Sequence, residues 1–192
     1  MPALLLASSS PYRRELLSRL RLPFACAAPD IDESHLPDEP ACALVKRLAE
    51  QKARALAARH PGHLIIGSDQ VAVLDDAILG KPHTFDKAFE QLSAASGREV
   101  VFLTGLALLN TQTGNCQVDV VPFTVHMRQL DAARIERYLR AEQPYDCAGS
   151  FKAEGLGVSL FQRTEGPDAT SLVGLPLIRL VDMLLAEGVQ VP

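Results

Sequence analysis

Two long β-rich runs, Val100–Leu109 and Gln117–Arg128, joined only by the polar turn Asn110–Gly114, limit the fold more than any other feature of the chain. Apolar and β-branched runs of this length with so short a link predict a paired hairpin. The chain before them alternates. Ala3–Ala7 is a short apolar run, followed by a helical face of Leu16, Leu17 and Leu20 and a short strand at Phe24–Ala28. An Ala- and Leu-rich helix from about Pro40 to His60 leads to a continuous apolar run, His63–Ile66. Alternating strands and helices favour parallel pairing, whereas a hairpin is antiparallel, so an α/β fold with a mixed sheet and flanking helices is expected.

Further punctuation divides the remainder. Val71–Leu74, Asp75-Asp76 and Ala77–Leu79 read as a second hairpin, and Thr84 caps a helix that closes at Ser96-Gly97. A helix is expected over Asp131–Ala141, a strand at Val158–Phe161, and a last helix from Leu175-Pro176 to about Gly188. No repeat or linker interrupts residues 1–192, which are read as one domain.

Composition narrows the function classes. At 192 residues and 47% hydrophobic, the chain can bury a core, and its net charge of −4 gives no general attraction for nucleic acid or an anionic membrane. No nucleic-acid or membrane partner is expected, and no apolar run reaches the roughly 20 residues of a membrane span. Cys26, Cys42, Cys116 and Cys147 form no CxxC pair, and buried free thiols of a cytoplasmic protein are expected. The five histidines have no metal-binding spacing, and neither a GxSxG elbow nor a GxxxxGK[ST] loop is present.

Several residues could carry chemistry. The run Ser8-Ser9-Ser10-Pro11-Tyr12-Arg13-Arg14 turns a strand into a helix, with Ser10 suited to the N-cap and Pro11 to the first helical position. Its unpaired N–H groups and helix dipole suit an anion, and Arg13 stands where a capping box would place an acid. The buried stripe of the second helix reads Val45, Leu48, Lys52, Leu56, so a lysine falls on an apolar face. Glu33 follows one strand and Asp69 ends another, and two such carboxylates suit Mg²⁺ or Mn²⁺ with open positions for phosphate. Lys52 and Lys81 are compact cations that can offset phosphate charge.

Taken in order, LASSSPYRRELL (6–17), the DIDE loop ending at Glu33, LAEQKA (48–53), IIGSDQ (65–70), LGKP (79–82), CAGSFKAEG (147–155) and LVGLP (172–176) resemble the Maf family of nucleotide pyrophosphatases. The resemblance implies a mixed-sheet fold with a deep cleft between two lobes, a divalent cation, and cleavage of a nucleoside triphosphate between the α- and β-phosphates. It implies that Asp69 is the proton acceptor, and that Ser8, Ser9, Arg13, Glu33, Lys52 and Lys81 handle phosphate and metal. Tyr12, Gln70 and Glu154 fall at the positions that separate a branch acting on 7-methyl-GTP from one acting on dTTP and UTP, and they match the former. That branch usually has Trp where this chain has Tyr12. A house-cleaning pyrophosphatase is the expected function, with a small-molecule nucleotide as partner and room for a homodimer. A dTTP/UTP or other non-standard nucleotide pyrophosphatase, and a nucleotide-binding regulator of septum formation, are the alternatives.

Overall fold

The computed structural model describes residues 2–191. Seven strands form one mixed sheet: β1 (Ala3–Ala7), β2 (Phe24–Ala27), β3 (His63–Leu74), β4 (Ala77–Leu79), β5 (Glu99–Asn110), β6 (Cys116–Met127) and β7 (Phe161–Glu165). The order is β2-β1-β3-β5-β6-β7, with β4 on β3. β1 pairs in parallel with both β2 and β3, whereas β3–β4 and β6–β7 are antiparallel. The α/β mixed-sheet expectation therefore holds. The helices are α1 (Pro11–Ser18), α2 (Ala41–Ala55), α3 (Phe85–Ala95), α4 (Ala132–Glu142) and α5 (Leu177–Ala186).

The chain divides into two compact units, one of residues 1–70, 104–121 and 168–192, the other of residues 71–103 and 122–167. In the first, the period-two alternation of the strands creates two cores. Leu4, Leu6, Leu64, Ile66, Leu106 and Leu108 pack with α1 and α5 on one face. Leu5, Ala7, Ile65, Ala107 and Leu109 pack with Ala49, Ala53 and Leu56 of the α2 segment on the other. Val45, Leu48, Lys52 and Leu56 are all buried, as the stripe predicts.

Helix α2 lies unusually close to the sheet. A Cβ built on Gly67 would fall on the Ala49 carbonyl oxygen, and one on Gly105 would fall on that of Val45. The obstacles are backbone atoms that no rotamer change can move aside. Gly105→Ala is therefore expected to push α2 outward and destabilise the protein by about 1–3 kcal/mol, read as a fall in the denaturant midpoint.

In the second unit, Asp75 and Asp76, both at positive φ, turn β3 into β4, and Thr84 accepts from Lys87 N to cap α3. Phe102, Phe151 and Phe161 meet edge to face, with centroids 5.2 and 4.9 Å apart.

Three expectations are revised. The strand read as ending at Asp69 and the hairpin arm read at Val71–Leu74 are one unbroken strand, His63–Leu74, so Asp69 lies within it and not at its end. The strand expected at Val158–Phe161 begins at Phe161, because the 3-10 turn Leu156–Leu160, closed by Phe161 N donating to Val158 O, takes up the residues before it. The cysteines are not buried: Cys26 is exposed on the edge strand β2 and Cys42 on α2, while Cys116 and Cys147 are half-buried. Desolvation pushes the Cys147 thiol up to about 12. Among the described residues no helix is long and apolar enough to cross a membrane.

Candidate active site

In the first unit, the connections on either side of β1 leave the sheet on opposite faces. The chain passes from β1 through α1 to β2 on the face of Leu4 and Leu6, and from β2 through α2 to β3 on the face of Leu5 and Ala7. Such a reversal opens a ligand-binding crevice at the carboxyl ends of the parallel strands. β1 ends at Ala7, and its pairing with β3 ends at Leu6–Ile66. The stretch Gly67–Val71 therefore lacks a β1 partner, although it lies within β3. Asp69 is a mid-strand residue that acts as a strand-end residue, because its neighbour has stopped.

Odd-numbered β3 residues face α2, which carries Asp69 towards Lys52. The Lys52 ammonium donates to Asp69 Oδ1 at 2.7 Å and lies 3.0 Å from Glu33 Oε1. Lys52 is 6% exposed and Asp69 8%, whereas Glu33 is exposed. A lysine would not rest on this stripe by snorkelling alone; its charge is matched by two carboxylates held within direct reach. The Glu33 loop is itself tethered, since Arg47 of α2 makes a two-pronged contact to Glu39 (both 2.6 Å) and donates to the Ser34 carbonyl at 3.0 Å. Hydrogen bonding from Arg47 holds the Glu39 carboxyl down at about 2.

The serine turn joins this cluster. Ser10 caps α1 by accepting from Arg13 N (3.4 Å), Pro11 occupies the first turn, and buried Ser8 Oγ accepts from Ser10 N at 3.1 Å. Ser9 is exposed beside them and Tyr12 is half-buried on the first turn. Arg13 Nε donates to the Gly174 carbonyl at 2.8 Å. Desolvation lowers the pKa of Arg13, and the nearby charges of Asp69 and Glu33 oppose that shift. Five of the expected residues, Ser8, Arg13, Glu33, Lys52 and Asp69, thus belong to one region of the first unit.

Even-numbered β3 residues face the other way. Ser68 Oγ contacts the carbonyls of Gly105 and Gly174, both at 2.9 Å, and Gln70 Nε2 donates to Thr104 Oγ1, Ser171 O and Leu172 O at 3.0, 2.7 and 3.2 Å. Ser68 lay within the IIGSDQ match without an assigned role, and Thr104 and Ser171 escaped the sequence reading because isolated hydroxyls carry no spacing signal. Gly174, at φ +110°, lay within the LVGLP match, but its contact with Arg13 could not be foreseen.

Lys81 and Glu154 belong to the second unit, and both are exposed. Lys81 follows β4. Glu154 sits in the 147–157 loop, where Ser150 adopts φ +63° and its hydroxyl contacts Gln91 Oε1 at 2.5 Å.

Among the described residues no group of three or more His, Cys, Asp or Glu side chains is placed to hold a metal ion. Glu33 and Asp69 form a two-carboxylate set, which suits a hard cation that takes its remaining ligands from water and phosphate oxygens. A groove of about 760 Å³ lies along Pro11, Arg14, Glu15 and Ser18 of α1 and Phe24–Cys26 of β2. None of the converging charged groups lines it, so charge convergence and the strand reversal define the site.

The chain matches the family described as Maf-like protein over residues 3–187. It is 82% identical over 192 residues to a protein of Pseudomonas fluorescens strain Pf0-1 named 7-methyl-GTP pyrophosphatase, with both chains covered completely. Proteins of the same name from Pseudomonas aeruginosa and Alcanivorax borkumensis are 71% and 61% identical, covering all of this chain and 100% and 97% of their own lengths. With its serine turn, its lysine-bridged carboxylates and an end-to-end match, this chain belongs to the Maf family.

Proposed function

We propose that this chain is a metal-dependent nucleoside triphosphate pyrophosphatase that cleaves 7-methyl-GTP to 7-methyl-GMP and pyrophosphate. The observation that carries the reading is the Lys52 bridge to Glu33 and Asp69 beside Arg13, at the reversal point of the parallel strands. Two carboxylates and two cations gathered around the buried Lys52–Asp69 pair match the needs of phosphoanhydride cleavage, which is catalysed mainly by positioning and electrostatics. The names of the closely similar proteins point to the same reaction.

In this scheme Asp69 accepts the proton of the attacking water as the bond between the α- and β-phosphates breaks and pyrophosphate leaves. Arg13, Lys52 and Lys81 stabilise the charge that develops on the phosphate oxygens, and Ser8 and Ser9 hold the chain of phosphates. Glu33 and Asp69 would hold Mg²⁺ or Mn²⁺, which neutralises phosphate charge when bound.

Tyr12, Gln70 and Glu154 read the base. N7-methylation places a positive charge on guanine, and an aromatic face such as Tyr12 attracts it by roughly 0.5–2 kcal/mol. A carboxylate at Glu154 accepts from the N1–H and amino edge of guanine. Uracil and thymine offer one donor between two carbonyls and would meet that carboxylate unfavourably. Tyr12 in place of Trp should give looser discrimination.

A panel of 7-methyl-GTP, GTP, UTP, dTTP and ITP, assayed for pyrophosphate with Mg²⁺ or Mn²⁺, tests the reading. Pyrophosphate release should be fastest from 7-methyl-GTP, should fall to background with excess EDTA, and should return when either cation is restored. Orthophosphate as the product would refute α–β cleavage, and a preference for UTP would refute the base assignment alone.

A further inference from the structure

Asp168, a buried acid that no catalytic role accounts for, sits at the start of the 3-10 turn Ala169–Val173. Its Oδ1 accepts from Thr170 N at 2.9 Å and from Thr170 Oγ1 at 2.6 Å, and its Oδ2 accepts from Ile178 N at 2.8 Å. Thr170 Oγ1 accepts in turn from Leu177 N at 2.9 Å. The N-cap of α5 is Pro176, which has no side-chain acceptor. Asp168 and Thr170 therefore satisfy first-turn donors that the helix cannot cap locally. One carboxylate thus clamps both ends of the segment 169–178.

That segment turns its carbonyls towards Gln70. The Gln70 amide could in principle be rotated end for end, but three contacts decide its direction. Ser171 O and Leu172 O are acceptors only, and Thr104 donates its own hydroxyl hydrogen to Ser171 O at 2.9 Å. All three positions require the NH2 end of Gln70. Its donors are thereby used within the protein, and the acceptor oxygen is the function left for a ligand.

We propose that Asp168 is a positioning residue for base selection: by clamping the 169–178 segment it aligns Ser171 O and Leu172 O, and so forces Gln70 to offer only its carbonyl oxygen to the nucleobase. An obligate acceptor favours a base with an amino and N–H edge, such as guanine, over the carbonyl-flanked edge of uracil or thymine. The inference rests on the proposed reading that Gln70 faces the base. Asparagine at position 168 supplies one oxygen where the clamp needs two, so one of the donors Thr170 N and Ile178 N would face an NH2 group.

The test compares kcat and KM for 7-methyl-GTP and UTP in the wild type, Asp168→Asn and Gln70→Met, with circular dichroism to check folding. Thr170→Val is the milder replacement if Asp168→Asn does not fold. The ratio of kcat/KM for 7-methyl-GTP over UTP should fall about tenfold in Asp168→Asn and in Gln70→Met, chiefly through KM for 7-methyl-GTP. An unchanged ratio in the Asp168 and Thr170 variants, with a changed one in Gln70→Met, overturns the positioning role and leaves Gln70 as a base reader. Equal losses on both nucleotides in the clamp variants also overturn it, since the clamp would then be purely structural. An unchanged ratio in Gln70→Met removes the base-reading role itself, and the proposal with it.

Discussion

Replacing Asp69 by asparagine is expected to lower pyrophosphate release from 7-methyl-GTP by roughly 10²–10⁴-fold, the range that a positioned general base supplies. Asparagine keeps the shape of the side chain and can still accept from Lys52, so folding should survive. Its amide cannot take the proton of the attacking water, and it is a far weaker cation ligand. Thermal melting and nucleotide binding, measured beside turnover, separate loss of chemistry from loss of structure. Near-normal turnover would remove Asp69 from the reaction. Turnover lost with binding retained is what an enzyme requires, whereas a nucleotide-binding regulator should lose no function with this substitution.

Lys52→Met should damage both stability and rate. Asp69 and Glu33 would keep their places around a side chain that carries no charge, and Asp69 is 8% exposed. Removing one member of a buried ion pair commonly costs 3–5 kcal/mol; the exposure of Glu33 to water lowers the expectation here to about 2–4 kcal/mol. Turnover should fall by about 10²-fold or more, because the proposed mechanism loses a cation that offsets phosphate charge. Mg²⁺ offers a separate check, since a divalent ion can replace the ammonium between two carboxylates. The melting temperature of Lys52→Met should therefore rise with Mg²⁺ more than that of the wild type, as expected for a ligand bound only by the folded state. A variant equally stable with and without Mg²⁺, and as stable as the wild type, would show that the Lys52 bridge carries no weight.

Much of this site could be read along the chain because its signals are local. Ser10 followed by Pro11 is a helix start whatever the surroundings, and the structure places the α1 cap there. Lys52 announced itself by falling on the stripe of Val45, Leu48 and Leu56, a periodicity set by 3.6 residues per turn. Its partners could not be read in this way, since Glu33 and Asp69 lie 19 and 17 residues away and meet it only when α2 crosses the sheet. The closeness of that crossing depends on Gly67 and Gly105, whose missing side chains matter only against the carbonyls of Ala49 and Val45. The 169–178 clamp is equally invisible: Asp168 and Thr170 are ordinary loop residues until α5 arrives with an uncapped first turn.

The sequence alone determined the alternation of elements, the mixed sheet and the serine turn, because backbone periodicity and capping act over a few residues. Only the tertiary structure decided that Asp69 sits in the middle of a twelve-residue strand, beyond the point where its β1 neighbour ends. It alone decided which end of Gln70 is left for a ligand, since that depends on carbonyls about a hundred residues further along the chain. Hydrogen-bond direction and burial are properties of neighbours in space, and those neighbours exist only after the chain has folded.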